Sequence, residues 1–202
     1  MITPHFEKFI KVFEENHGIL KLSQAAKLGI PKHIVYEMFS KGILVKEEKG
    51  IYRLSTTGPL GNPDLVQVSL LVPKSVVCLI SALYFHGLTT QVPHGVHIAL
   101  PNNIPKPRIE YPPLDVYWMS KNSYASGIGE YDLDGVLVRI YNREKTIVDC
   151  FKFRKRIGEA IAIEALKDYM GQPKRQVDDI LRYARINRVE KVIQPYLRTI
   201  LT

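Results

Sequence analysis

The chain is short of the residues that build several kinds of protein. Among 202 residues it has two cysteines, Cys78 and Cys150, and one tryptophan. Two cysteines far apart, each in an apolar stretch, make neither a paired metal-ligand motif nor a disulfide framework. They read as reduced core residues of a cytoplasmic chain. No apolar run approaches the roughly 20 residues of a membrane-spanning helix, so no membrane partner is expected. The opening MITPHFEKFIKVFEENHG carries acids at helical spacing in place of a basic start, an apolar block and a small-residue cleavage site, so no secretory leader is expected. Glycine-rich dinucleotide loops, a phosphate-binding loop and a Gly-x-Ser-x-Gly elbow are also missing, and no cofactor is expected.

What remains is the composition of an ordinary globular protein: 46% hydrophobic and 24% charged residues. Its length suits one large domain or two small ones. Lysine and arginine number 28 against 20 acids, a net charge of +8. The excess favours a polyanionic partner. It is unevenly spread: residues 1–55 carry 9 basic and 6 acidic side chains, residues 56–142 carry 5 and 6, and residues 143–202 carry 14 and 8. Basic ends around a near-neutral middle suggest two phosphate-facing surfaces.

In the first segment Phe6, Phe9, Ile10 and Phe13 recur at the spacing of an amphipathic helix over Pro4–Asn16, capped by Thr3 and closed near Gly18. LSQAAKLGI forms a short second helix ending at Gly29. PKHIVYEMFSKG forms a third, from Pro31 to Lys41, stopped by Gly42. The following ILVKEEKGIYRL is a hairpin whose turn uses Gly50 at positive φ. Helix, helix-turn-helix and hairpin together are the order of a winged helix. On the third helix Val35, Met38 and Phe39 are expected to pack inward, leaving Lys32, His33, Tyr36 and Ser40 outside. In a major groove those four would face base edges, and Lys41, Lys46, Lys49 and Arg53 would face phosphates. A winged helix used for protein contacts is the alternative at this point.

STTGPLGNPD after Leu54 reads as a linker, which gives domains at 1–55 and 66–202 joined by 56–65. Val66–Leu88 reads as one or two core helices closed by Gly87, with His86 satisfying the last carbonyls. Val96–Leu100, Leu114–Trp118 and Val136–Tyr141 have strand character, and the five prolines of Pro101–Pro113 mark an extended loop. Helices follow at about 159–170, 174–186 and 189–201. The fold class is α+β: a winged helix followed by a mixed α/β domain with a small sheet and a helical C-terminus.

Asp132 and Asp134 could in principle hold a divalent ion as nucleotidyltransferases do, which keeps a nucleotide-acting enzyme as an alternative. The upstream Gly-Ser signature is missing, and the pair is better explained by a hairpin turn at Asp134–Gly135. His94 and His97 lack a third ligand at metal-site spacing, so no metal is expected. Lys152, Arg154, Lys155 and Arg156 close a helix begun by Ile147, Val148, Cys150 and Phe151. They either complement the helix dipole or join Lys174, Arg175, Arg182, Arg185 and Arg188 in a second candidate DNA-facing surface.

The pattern LSQAAKLGI…SKGILVKEEKGIYRL, followed in order by SALYFHGLTT at 81–90, HIALP at 97–101 and REKTIVDCFKFRKRIG at 143–158, resembles the AbiEi antitoxins of type IV toxin–antitoxin systems. The resemblance implies a DNA-binding repressor of its own operon, not an enzyme, that counteracts a nucleotidyltransferase-like toxin without a stable complex. It also implies that antitoxicity resides after the winged helix. An interaction module gripping a protein with the basic C-terminal face is the rival reading.

Overall fold

A computed structural model describes residues 4–48 and 50–201, so the expected cap Thr3 and the expected phosphate contact Lys49 lie outside the described residues. The chain is a mixed α+β protein with two small sheets and a run of C-terminal helices. It divides into two compact units. The first holds the residues up to Pro73 together with Asp132–Leu137, and the second holds Lys74–Tyr131 and the chain from Val138 on.

The first unit opens with α1 (Pro4–Glu15), whose Phe6, Phe9 and Phe13 are buried, as their spacing requires. A short strand β1 (Ile19–Lys21) comes next, which has no signature in the sequence because three residues carry no period. Then follow α2 (Leu22–Lys27), α3 (Lys32–Ser40), β2 (Leu44–Glu48) and β3 (Ile51–Leu54). The strands form an antiparallel sheet in the order β1-β3-β2, with Leu20 opposite Tyr52 and Leu44 opposite Leu54. The hairpin turns at Gly50, φ +82°, as expected. Sheet and helices enclose a core of Phe6, Phe13, Ile30, Val35, Met38 and Leu44.

The expected linker leads into α4 (Pro63–Leu71), which belongs to this first unit and not to the one that follows. The reason is apolar: Val66 is buried with Ile19 and Ile51, and Leu133 and Val136 pack on the same cluster. The region expected as one or two helices thus contains α4, a two-residue strand β4 (Val76–Val77) and α5 (Leu79–Phe85).

Apart from the residues of Asp132–Leu137 assigned to the first unit, the second unit is built on a five-stranded sheet in the order β6-β5-β4-β8-β7, from β5 (Val96–Pro101), β6 (Leu114–Met119), β7 (Ile128–Leu133) and β8 (Val136–Tyr141) with β4. β5 runs antiparallel to β4 and parallel to β6, and β4 runs parallel to β8. Three of these strands lie where the alternation of the sequence put them. β4 and β7, and the short helix α6 (Lys121–Ala125), do not announce themselves in the sequence. Helices α7 (Arg143–Lys152), α8 (Arg154–Ile157), α9 (Glu159–Met170), α10 (Val177–Asn187) and α11 (Glu190–Leu201) complete the unit.

α7 is buried from Glu144 to Phe151 although half of those residues are polar, so each polar group needs an internal partner. Asn142 caps the helix by accepting a hydrogen bond from the Lys145 backbone N–H at 2.9 Å. Glu144 accepts from the Tyr169 hydroxyl at 2.5 Å, and Thr146 donates to the Tyr141 carbonyl at 3.2 Å. Lys145 donates to both carboxylate oxygens of Asp149, at 2.5 and 2.6 Å. Cys78 and Cys150 are free and fully buried, and burial pushes both thiols well above their usual range. They are core residues, as expected.

Candidate nucleic-acid interface

α3 is set by chain chemistry at both ends. Pro31, with φ −61° and ψ 144°, fixes an extended entry, and Ile30 N–H bonds back to Ala25 O at 2.9 Å to tie the corner with α2. At the exit Gly42 N–H reaches Phe39 O at 3.0 Å and Ile43 N–H reaches Met38 O at 2.9 Å, with Gly42 at φ +71°. This is a Schellman stop, and glycine takes that φ without the strain a Cβ would add.

Ile34, Val35 and Met38 form the buried side of α3. Lys32, His33, Tyr36 and Ser40 are exposed, where the helical period places them. Phe39 corrects the sequence reading: it is 44% exposed instead of packing inward, and Ile34 takes the inner position. On the helix Phe39 sits one turn from Tyr36, and both rest edge-on against Tyr52 of β3, with ring centroids 5.9 and 6.3 Å from it. Tyr52 is itself 4% exposed and fills the space beneath. The outer face of α3 is therefore two exposed aromatic rings flanked by Lys32, His33 and Ser40.

The cations expected at phosphates divide into different states. Lys46 is exposed on β2. Lys41 is exposed but pairs with Glu37 at 2.9 Å and lies 4.9 Å above the Phe6 ring. The hydrogen bond from Lys41 holds the Glu37 carboxyl below its usual range. Arg53 is not available as expected: it is 9% exposed, its Nε donates to Glu47 at 2.5 Å, and its guanidinium donates to the carbonyls of Leu54 and Thr57. The irregular register between Lys46 and Glu48 places Glu47 at the bulge, where its carboxylate meets Arg53.

The second candidate surface fares likewise. Lys152 ends α7 half-buried, with Nζ donating to Ser123 Oγ at 3.2 Å and Asn187 Oδ1 at 3.5 Å. Arg154 bonds Phe151 O at 2.8 Å, and Lys155 is exposed. Arg156 turns back to Val116 O at 3.0 Å and covers the Tyr117 ring at 3.9 Å. These four span the break between α7 and α8, so they do not form one stripe. Arg182 pairs with Asp179 at 2.7 Å, Arg185 pairs with Glu190 at 3.0 Å, and Arg175 donates to Met170 O at 2.9 Å. Lys174 and Arg188 are exposed without an ion pair among the described residues.

The rival chemistry finds its groups engaged. Asp132 accepts from the Gly135 backbone N–H at 2.7 Å, which is the expected turn. Asp134 accepts from Gly61 and Asn62 N–H at 3.0 and 3.4 Å, holding the entry to α4. Among the described residues no group of three His, Cys, Asp or Glu side chains is placed to hold a metal ion. His86 differs in detail from its expected role: Nε2 lies 2.7 Å from the carbonyl of Tyr141 on β8, not of its own helix. His97 is buried, stacked 5.6 Å from Tyr117, and burial lowers its pKa. No helix among the described residues is long and apolar enough to cross a membrane.

Residues 8–55 match the family of transcriptional regulators described as AbiEi antitoxins. A crystal structure of the RV2827C protein from Mycobacterium tuberculosis is similar in fold, with a TM-score of 0.56 at 14% identity, covering 92% of this chain and 72% of that one. Among curated proteins none matches the chain.

Proposed function

We propose that the chain is a DNA-binding transcriptional regulator of the antitoxin class. In this reading residues 1–55 are a winged helix, with α3 as the recognition helix and the β2–β3 hairpin as the wing. The observation that carries it is the outer face of α3, where Lys32, His33, Tyr36, Phe39 and Ser40 stand exposed on the segment that matches the regulator family. Exposed rings beside a lysine and a histidine suit the major groove, where apolar contact reads thymine methyl groups and polar groups read base edges. Lys41, Lys46 and Lys49 would then contact phosphates, which position the helix without reading sequence.

In the same reading the chain represses its own operon, and the region after the winged helix counteracts a nucleotidyltransferase-like toxin without a stable complex. Lys152, Lys155, Lys174 and Arg188, which make no ion pair among the described residues, would add phosphate contacts. Arg154, Arg182 and Arg185 are already neutralised by acids and would add little.

The test is a titration of the chain against its own upstream DNA and an unrelated duplex of equal length at two salt concentrations. Preference for the upstream DNA that survives the higher salt, and that Tyr36→Ala or Phe39→Ala abolishes, is the expected result. Equal, salt-sensitive binding to both duplexes would reduce the charge to a phosphate footprint, and no binding to either would refute the reading.

A further inference from the structure

The second unit contains a cleft that recognition by α3 does not use. It is open to solvent, has a volume of about 510 Å³ and is lined by Ser120, Lys121, Asn122, Lys152, Ile186, Asn187 and Arg188. Three elements far apart in sequence build it: the start of α6, the end of α7 and the end of α10. Arg188 closes α10 in the left-handed conformation, φ 58° and ψ 38°, a place that asparagine or glycine would fill more easily. A bulky cation stands there instead.

The charges of this cleft are uncompensated. No carboxylate lines it, and Lys121, Lys152 and Arg188 make no ion pair among the described residues. The acid behind it is spent, because Asp149 receives Lys145 on both oxygens and the Asn187 amide at 2.6 Å. Asn187 in turn accepts from Ser123 Oγ at 2.5 Å, which fixes the floor of the cleft. The Lys152 ammonium has three N–H groups and gives two of them to Ser123 and Asn187, so one is left for the cleft. Burial also pushes the Lys152 pKa below the usual lysine value, a burden that an anion beside it would relieve.

We propose that this cleft binds the phosphate groups of a nucleotide, with Lys121, Lys152 and Arg188 as its cations and Ser120 and Asn122 as neutral hydrogen-bonding groups. The arginine supplies the planar fork that matches phosphate oxygens, and the lysines supply point charges. The volume falls within the range of small-ligand sites and exceeds what a single phosphate fills. The phosphates can belong to a free nucleotide or to a nucleic-acid backbone, and the chemistry of recognition is shared. The proposal stands apart from the reading of α3.

The test is calorimetric titration of the full chain with inorganic tripolyphosphate, ATP and a short duplex unrelated to the upstream DNA. Lys121→Gln and Arg188→Gln are made singly and together. Both side chains are exposed, and an unchanged melting temperature verifies the fold. At least one probe is expected to bind saturably and to weaken about tenfold in each single variant, the value of one charge-assisted contact. Loss confined to tripolyphosphate and ATP identifies a free nucleotide as the source, and loss confined to the duplex identifies a backbone. Absence of binding to all three probes, or a smaller loss in the double variant, overturns the proposal. Tyr36→Ala is the control: it tests α3 and leaves the cleft result untouched.

Discussion

Replacing Asp149 with asparagine should cost the second unit about 3–5 kcal/mol, the penalty for stranding one member of a buried ion pair. Lys145 and Asp149 are both fully buried, one turn apart on α7. The lysine ammonium reaches both carboxylate oxygens, lies 4.3 Å over the Tyr141 ring and has the Met119 sulfur at 3.9 Å. Asparagine keeps the volume, so no cavity enters the measurement. It removes the countercharge and presents an N–H₂ group to the ammonium. The double variant Lys145→Met with Asp149→Leu removes both charges and should regain part of the loss. A deficit of about 1–3 kcal/mol remains, because the Asn187 amide loses its acceptor. The assay is urea unfolding followed through Trp118, the only tryptophan, which lies on β6 with its Nε1 donating to Ile104 O at 2.8 Å. A loss below about 1 kcal/mol for Asp149→Asn, the value of an exposed pair, would refute the reasoning. So would a double variant whose loss equals the sum of the two single ones.

Arg53→Met removes the ion pair with Glu47 and the bonds to the Leu54 and Thr57 carbonyls, so it should lower stability by about 1.5–3 kcal/mol. The salt slope of non-specific DNA binding should not change; a slope reduced by about one unit would show that Arg53 touches phosphate after all. Gly127 has φ +72°, and a Cβ there would lie 2.6 Å from Lys145 Cβ, so Gly127→Ala should lower the urea midpoint by more than the equivalent of about 1 kcal/mol at unchanged slope. Burial holds the pKa of both His86 and His97 below the usual histidine value, so the unfolded chain takes up the protons first. Their contribution to stability is complete above that value and is lost as pH falls through it, at up to about 1.4 kcal/mol per pH unit for each ring. Thermal melts between about pH 7 and about pH 5 should show the decline, and a flat profile would rule the two rings out as its source.

The parts of the fold that read clearly in the sequence are those whose side-chain period is long enough to repeat. The phenylalanines of α1 and, on α3, Val35 and Met38 need only the helical spacing, and β5, β6 and β8 need only alternation. β1 and β4 are too short for any period, and they exist because a neighbouring strand supplies their hydrogen bonds. Phe39 departs from its expected inward position for another reason. Hydrophobicity assigns a phenylalanine to the core, but the inner arc of α3 is filled by Ile34, Val35 and Met38, and Tyr52 offers the ring a resting place on the outside. In α7 the helix is legible from Ile147, Val148, Cys150 and Phe151, but the burial of Glu144, Lys145 and Asp149 beside them is not, because it depends on partners that only the fold brings together.

Charge was the least legible property, and the structure explains why counting it misleads. A basic side chain attracts phosphate only if its own field is not already cancelled, and sequence gives the cation without its partner. Arg53, Arg182 and Arg185 look alike along the chain, yet all three are paired with acids. Lys121, absent from any basic run, gains its importance from Lys152 and Arg188, which arrive from other helices. The 28 basic side chains therefore include a set already paired with acids, Lys41, Arg53, Lys145, Arg154, Arg156, Arg182 and Arg185, which a count of charge does not distinguish from the rest. An anion gains most where a cation has no acid partner, because it meets the charge without first displacing a carboxylate. Mutations that probe nucleic-acid affinity should accordingly be chosen by missing partners and not by basic runs. By that criterion Lys32, Lys46, Lys121 and Arg188 come before any arginine of the paired set.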